Sequence, residues 1–99
     1  MYARAVTIQL HPDKIAEAGQ IMEAVAAQLQ GAVGFHEITL LADEATGHGH
    51  LISLWDNEAA ITATAPTIFK GAMERLTPFF SAPPRPEVLK VVMHRHRGE

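Results

Sequence analysis

The stretch from Leu51 to Asn57, which reads L-I-S-L-W-D-N, constrains the fold of this chain most strongly. It is short and apolar, it contains the single tryptophan, and the polar segment Asp43–Gly49 comes just before it. Either of the two residues after Trp55 can cap the Ala-rich helix that follows. Trp55 is therefore predicted at the end of a strand that leads directly into a helix. The short polar connection must join that strand to an antiparallel neighbour.

Hydrophobic periodicity predicts the other elements of the chain. Strands are predicted over residues 2–10, 34–41, 50–55 and 87–94, and helices over residues 14–30 and 58–80. Pro66 is expected to kink or split the second helix, and a Pro-rich extended connector is expected over residues 81–86. The order β-α-β-β-α-β is that of a ferredoxin-like α+β fold, with a four-stranded antiparallel sheet and two helices on one face.

The predicted sheet has apolar residues on both faces. An antiparallel sheet with one face in water should alternate between apolar and polar residues. In the third strand both alternating sets are largely apolar, from His50 to Trp55. We therefore predict that a second copy of the chain covers the helix-free face of the sheet, which makes a homodimeric α/β barrel.

Length and composition bound the class of protein. Ninety-nine residues predict one domain over residues 1–99, with a frayed tail over residues 96–99. A net charge of −3 argues against nucleic acid as a partner, and no apolar run approaches the length of a membrane span. The chain has no cysteine, which excludes disulfides, thiolate metal sites and a cysteine nucleophile. A cytoplasmic location is predicted.

Four short segments resemble the antibiotic biosynthesis monooxygenase family of dimeric α/β barrels, over about residues 3–95. They are Pro12-Asp-Lys, Val33-Gly-Phe, Leu41-Ala-Asp-Glu-Ala-Thr-Gly and, most specific of the four, Ile52-Ser-Leu-Trp-Asp-Asn-Glu. The resemblance implies a homodimer with a pocket in each subunit between sheet and helices. It also implies oxidation of an aromatic phenol or quinol by O₂ without a metal or flavin, so no cofactor is expected.

A related branch of this family binds and degrades haem, and the sequence disfavours that activity. The haem-degrading branch has an asparagine where this chain has Thr7. It has a haem-ligating histidine about ten residues after the tryptophan, where this chain reads Thr64-Ala65-Pro66. Trp55, by contrast, matches the tryptophan that lines the pocket in the family.

The candidate site residues surround the predicted pocket. Trp55 and Thr7 are the predicted catalytic residues, bonding the anion that develops on the substrate. The predicted substrate-binding residues are Phe35, Thr39, Ser53, Phe69, Met73, Phe80 and Met93. Aromatic and methionine side chains at such positions more often belong to the core, and small polar residues often bond their own backbone. A cofactor-independent monooxygenase is thus one hypothesis, and a non-catalytic ligand-binding or dimerisation module of the same fold is the alternative.

Two histidine pairs have the spacing of metal ligands. His48-x-His50 and His94-x-His96 each place two imidazoles on one side of an extended segment, which can bind Zn²⁺ or Ni²⁺ if a third ligand converges. The sequence names no third ligand, so both pairs are predicted to be surface histidines and no metal site is predicted. His36 and Arg95 are weaker candidates for acid–base or anion contacts, and His36 is expected on the sheet face opposite Phe35.

Overall fold

Four strands and two helical regions make up the part of the chain that the computed structural model describes, residues 1–98. Glu99, the last residue of the tail predicted over residues 96–99, lies outside the described residues. The strands are β1 (Tyr2–Leu10), β2 (Phe35–Ala42), β3 (His48–Trp55) and β4 (Phe80–Lys90). The α-helices are α1 (Ile15–Leu29), α2 (Glu58–Thr64) and α3 (Lys70–Leu76).

The strands form one antiparallel sheet in the order β2-β3-β1-β4. The polar segment between β2 and β3 closes a hairpin, in which the Asp43 carboxylate accepts the N–H groups of Ala45 and Thr46. Gly47 has φ +76°, and a Cβ there would lie 2.0 Å from the Leu10 carbonyl oxygen, so this turn needs a glycine. The ferredoxin-like fold predicted from the sequence is confirmed.

Helix α1 packs on the sheet through the apolar stripe that the sequence shows. Ala18, Met22, Val25 and Leu29 recur at three- and four-residue spacing, and all four are buried. They belong to one buried core cluster with Val6, Ile8 and Leu10 of β1. The core is made of buried apolar residues: Val6, Ile8, Leu10, Ala18, Met22, Val25, Leu29, Leu51, Trp55, Ile61, Phe69, Ala72 and Leu76.

The second helical region changes its winding at Pro66, as the sequence predicts. Pro66 lacks an N–H, and the helix widens to a π-helical segment over Ala65–Phe69 between α2 and α3. The Lys70 N–H donates to the Ala65 carbonyl, five residues earlier. This widened turn carries Phe69, which is buried against the sheet.

Asn57 caps the N-terminus of α2, because its side-chain oxygen accepts the Ala60 N–H at 2.9 Å. We expect Asn57→Ala to lower the free energy of unfolding by about 1 kcal/mol, since one helical N–H loses its partner. Urea denaturation followed by circular dichroism measures this change. Asn57→Asp, which keeps an acceptor oxygen, is the matched control and should stay near the wild type. Equal stability of the alanine variant and the wild type would contradict the capping role.

The fourth strand differs from the prediction over residues 87–94. It runs from Phe80 to Lys90 and pairs with β1 from Leu10 to Tyr2. Its prolines are tolerated because β4 is an edge strand, where half of the N–H groups have no neighbouring strand to bond. The segment over residues 91–96 is not a strand, although the Val91 N–H still donates to the Met1 carbonyl at 3.0 Å.

The helices cover one face of the sheet and leave the other open. We call the second face the helix-free face; it presents the apolar and small residues Ala3, Ala5, Thr7, Thr39, Leu41, Ile52, Leu54 and Leu89 together with Glu37, His50, Arg85 and Glu87. Leu41 and Leu89 are each 49% exposed there. Among residues 1–98, no helix is both long enough and apolar enough to cross a lipid bilayer.

Candidate functional site

Polar and aromatic side chains meet under the helices where β1 and β3 pair. Tyr2 lies opposite Trp55, Arg4 lies opposite Ser53, and Val6 lies opposite Leu51. Opposite residues of antiparallel strands point to the same face. The face is the helix-covered one, because Trp55 and Ser53 are 0% and 1% exposed.

Trp55 is fully buried in the core and contacts three neighbouring side chains. Its Nε1–H donates to Ser53 Oγ at 2.9 Å. Its ring makes edge-on contacts with Phe35 and Phe69, with centroids 5.3 and 5.7 Å apart. Four of the predicted site residues, Trp55, Ser53, Phe35 and Phe69, are thus brought together by the fold.

Arg4 completes this group and was not among the residues singled out from the sequence. Its guanidinium carbon lies 4.1 Å from the centroid of the Phe69 ring, a cation–π contact. Its Nη1 is buried and has no hydrogen-bond partner. Desolvation by burial lowers the pKa of Arg4 from its ordinary value. Within residues 1–98 no carboxylate lies within ion-pair distance of it.

A half-buried cation with a buried, unused donor is suited to an anionic oxygen. Such an oxygen would accept from Nη1 and offset the cost of desolvating the guanidinium. We refer to Arg4, Ser53, Trp55, Phe35 and Phe69 as the Arg4–Ser53 cluster. The sequence does indicate where Arg4 lies, because Arg4 alternates in phase with the apolar residues Val6, Ile8 and Leu10 of its strand.

An open cleft of about 570 Å³ lies next to this cluster, between α1 and the strands β2 and β3. Ile38 lines the cleft and pairs directly with Ser53. Gly19 of α1 lies in the cleft wall, and a Cβ at this position would meet no atom within 4 Å. Most of the residues that line the cleft are apolar, and the carboxylates Glu23 and Glu44 also line it.

Several predicted site residues lie elsewhere. Thr7 pairs with His50, and Thr39 pairs with Ile52, so both point to the helix-free face, away from Trp55. The cause is the two-residue period of a strand, which sends Thr7 and Arg4 to opposite sides of the sheet. Met93 is 79% exposed, in the segment after β4.

Met73 and Phe80 are partly buried and pack against the core. Trp55 itself does not line the cleft beside Ile38. His36 lines a different cavity, with Leu54 of the helix-free face, and its Nε2 contacts the Asp56 carboxylate.

The fold places this chain among the small ferredoxin-like α+β proteins whose sheet and helices enclose a compact interior. Residues 1–65 match the family model of the antibiotic biosynthesis monooxygenases. The chain therefore belongs to the antibiotic biosynthesis monooxygenase family. The matched residues include Arg4, Ser53 and Trp55 and end before Phe69.

Solved structures show the same fold at low sequence identity. A candidate antibiotic biosynthesis monooxygenase from Caulobacter crescentus CB15 aligns with a TM-score of 0.79 and 22% identity, covering 93% of this chain and 90% of that one. Rv0793 from Mycobacterium tuberculosis aligns with a TM-score of 0.76 and 12% identity, covering 96% and 98%. A protein of unknown function from Nitrosomonas europaea, NE2512, aligns with a TM-score of 0.78 and 15% identity, covering 99% and 95%. No curated protein matches the sequence.

Proposed function

We propose that this chain is a small monooxygenase that oxidises an aromatic phenol or quinol between its sheet and its helices. The observation that carries the proposal is Arg4, a half-buried side chain whose Nη1 is buried and has no hydrogen-bond partner. Membership of the monooxygenase family supplies the type of reaction. The substrate enters through the cleft beside Ile38 and places its oxygen at Arg4.

The chemistry follows from the charge of the substrate. Loss of the phenolic proton makes the ring electron-rich enough to react with O₂. The Arg4–Ser53 cluster favours that anion, because Nη1 donates to it in an environment from which water is largely excluded. Ser53 accepts the Trp55 N–H, so its own hydroxyl hydrogen can be donated to the same oxygen. Trp55 positions Ser53 and forms the aromatic wall.

The reaction balances without an external reductant. With a phenol, one oxygen atom of O₂ becomes a new carbonyl on the ring; with a quinol, it becomes a new hydroxyl group on the quinone that forms. In both cases the other oxygen atom leaves as water with two hydrogens of the substrate. A phenol thereby gives up four electrons to O₂ and becomes a quinone. In this proposal Arg4 takes the role that the sequence gave to Thr7, since Thr7 points to the other face of the sheet.

Incubation of the protein with a panel of dihydroquinones and polycyclic phenols, in air and under nitrogen, tests this function. The proposal expects oxygen uptake and a quinone product that exceed the rate without protein and depend on Arg4. A panel that gives no protein-dependent oxygen uptake in air contradicts it.

A non-catalytic ligand-binding module is the second candidate, and the burial and hydrogen bonding of Trp55 favour it. The indole is fully buried and its N–H is already bonded to Ser53. Saturable binding of an aromatic anion, without turnover by any member of the panel, would establish this alternative.

We further propose that the functional unit is a homodimer formed through the helix-free face. This face exposes about half of Leu41 on β2 and half of Leu89 on β4. Ala3, Ala5 and Ile52 lie between them and are partly exposed. A second copy packed sheet to sheet would remove this apolar surface from water, with two-fold symmetry. The cytoplasmic location predicted from the sequence stays a prediction.

The double variant Leu41→Glu/Leu89→Glu should convert the dimer into a monomer, because it replaces the two half-exposed leucines of the proposed interface with carboxylates that would be buried there. Light scattering coupled to size exclusion measures the mass. Val33→Glu is the control, since Val33 is 89% exposed in the connection between α1 and β2. A wild-type protein that stays monomeric at micromolar concentration, or a double variant that stays dimeric, contradicts the proposed interface.

A further inference from the structure

The segment after β4 brings two histidines to a glutamate on the helix-free side of the sheet. His94 Nε2 lies 3.4 Å from Glu37 Oε1, and His96 Nε2 lies 3.9 Å from Glu37 Oε2. The two imidazole rings stand edge to face, with centroids 5.1 Å apart. The sequence shows the histidine pair, and the fold adds the carboxylate, 57 residues before His94 along the chain.

We propose that Glu37, His94 and His96 form a binding site for a divalent transition-metal ion, with Zn²⁺ as the ion that fits best. One ligand atom from each residue lies within 4.8 Å of the other two. Two ligands of a tetrahedral zinc ion, each about 2.0–2.1 Å from the metal, are about 3.3 Å apart. Glu37 and His94 already have this spacing. His96 reaches it by a small rotation of a side chain that is 61% exposed.

The chemistry of the three donors selects the ion. Imidazole nitrogen and carboxylate oxygen are ligands of zinc and of its neighbours in the first transition row, while magnesium and calcium prefer oxygen alone. Three protein ligands leave a fourth position for water. The group borders a cavity of about 560 Å³ that Met1, Leu54 and Val91 also line, which gives the water room.

The site depends on the tertiary fold. A register shift between Phe35 and Glu37 in β2 interrupts the regular pairing with β3, and Glu37 lies opposite Leu54 of the helix-free face. The histidines come from the segment that follows β4. A bound ion would therefore fasten this segment to the start of β2. The metal site is separate from the Arg4–Ser53 cluster, because the two lie on opposite faces of the sheet. It lies on the face that is proposed as the dimer interface, so the mass of each variant is measured together with its affinity.

The second histidine pair supplies an internal control. His48 and His50 also stand edge to face, with ring centroids 5.2 Å apart. Within residues 1–98 no third ligand atom of the kind that can hold a metal converges on them with the same spacing. If two neighbouring imidazoles were enough for binding, the two pairs would bind alike.

Tag-free protein, stripped with a chelator, is titrated with Zn²⁺ in competition with a chromophoric zinc indicator. We expect one strongly bound Zn²⁺ per chain. Glu37→Gln, His94→Ala and His96→Ala should each weaken Zn²⁺ binding at least about tenfold. Removing a residue that only hydrogen-bonds a metal ligand already lowers metal affinity by about that factor. His48→Ala/His50→Ala should leave the affinity unchanged. Co²⁺ should give the intense visible absorption of a tetrahedral complex, and Glu37→Gln should remove it.

Three results would overturn the proposal. They are the absence of Zn²⁺ binding tighter than that of free imidazole, unchanged affinity in Glu37→Gln, and an equal loss in His48→Ala/His50→Ala. Circular dichroism of each variant verifies that it is folded, which is expected because the three ligand side chains are all partly exposed, from 34% for His94 to 61% for His96. Turnover by the Arg4–Ser53 cluster should be the same in all of these variants.

Discussion

Replacing Arg4 by methionine is expected to lower oxygen-dependent turnover of the phenol or quinol by about 10²–10³-fold, the usual loss when one donor to a developing oxyanion is removed. The variant should remain folded. Methionine fills similar space against Phe69, and it removes a buried nitrogen that has no partner. Its free energy of unfolding should therefore equal or exceed that of the wild type, by up to about 1 kcal/mol.

Two further variants separate the charge of Arg4 from its position. Arg4→Lys keeps a cation but loses the forked donor geometry, so it should recover part of the activity. Thr7→Ala changes a small polar residue of the same strand on the opposite face and should turn over like the wild type. Full activity of Arg4→Met, or a large loss in Thr7→Ala, would show that the anion is held elsewhere. Initial rates of oxygen uptake at saturating substrate decide between these outcomes.

Replacing Trp55 by alanine is expected to lower the free energy of unfolding by about 3–5 kcal/mol. The whole ring is buried, and it contacts Phe35, Phe69 and Ser53 at once. Domains of this size are stable by about 5–15 kcal/mol, so the variant should be marginally folded at best. Urea denaturation followed by circular dichroism measures the loss, because the variant has no tryptophan fluorescence.

Trp55→Phe should have a free energy of unfolding between those of the wild type and Trp55→Ala. It keeps the aromatic contacts with Phe35 and Phe69 and loses the hydrogen bond to Ser53, whose hydroxyl is then buried without that donor. Met93→Ala serves as the control, because Met93 is mostly exposed and should change stability little. An alanine variant at Trp55 that unfolds at the same urea concentration as the wild type would contradict the central packing role of the indole.

Local patterns along the chain predicted the fold. The apolar spacing of α1, the polar hairpin before His48, and the strand-to-helix junction at Trp55 each depend on a few neighbouring residues. The limits of β4 could not be predicted in this way. Its prolines indicate a connector, and their tolerance depends on the strand lying at an edge of the sheet.

The candidate site could be predicted only in part. The aromatic and serine members of the Arg4–Ser53 cluster were identified because an apolar strand and a family resemblance pointed to them. Thr7 was assigned to the site from the resemblance, although the alternation of β1 sends it to the other face. The alternation of β1 puts Arg4 on one face with Val6, Ile8 and Leu10, but its contact with Phe69 and its unpartnered Nη1 depend on tertiary packing. The approach of Glu37 to His94 depends on a tertiary contact, which no local pattern shows.

The fluorescence of Trp55 gives the most direct test of the claim that the Arg4–Ser53 cluster binds an aromatic anion. Trp55 is the single tryptophan of the chain, so its emission reports on this cluster alone. We would titrate the protein with 2-hydroxy-1,4-naphthoquinone, which is an anion at neutral pH. We expect saturable quenching in the wild type and in Thr7→Ala, and affinity weaker by at least about tenfold in Arg4→Met. Equal affinity in Arg4→Met, or no saturable quenching in the wild type, would contradict it.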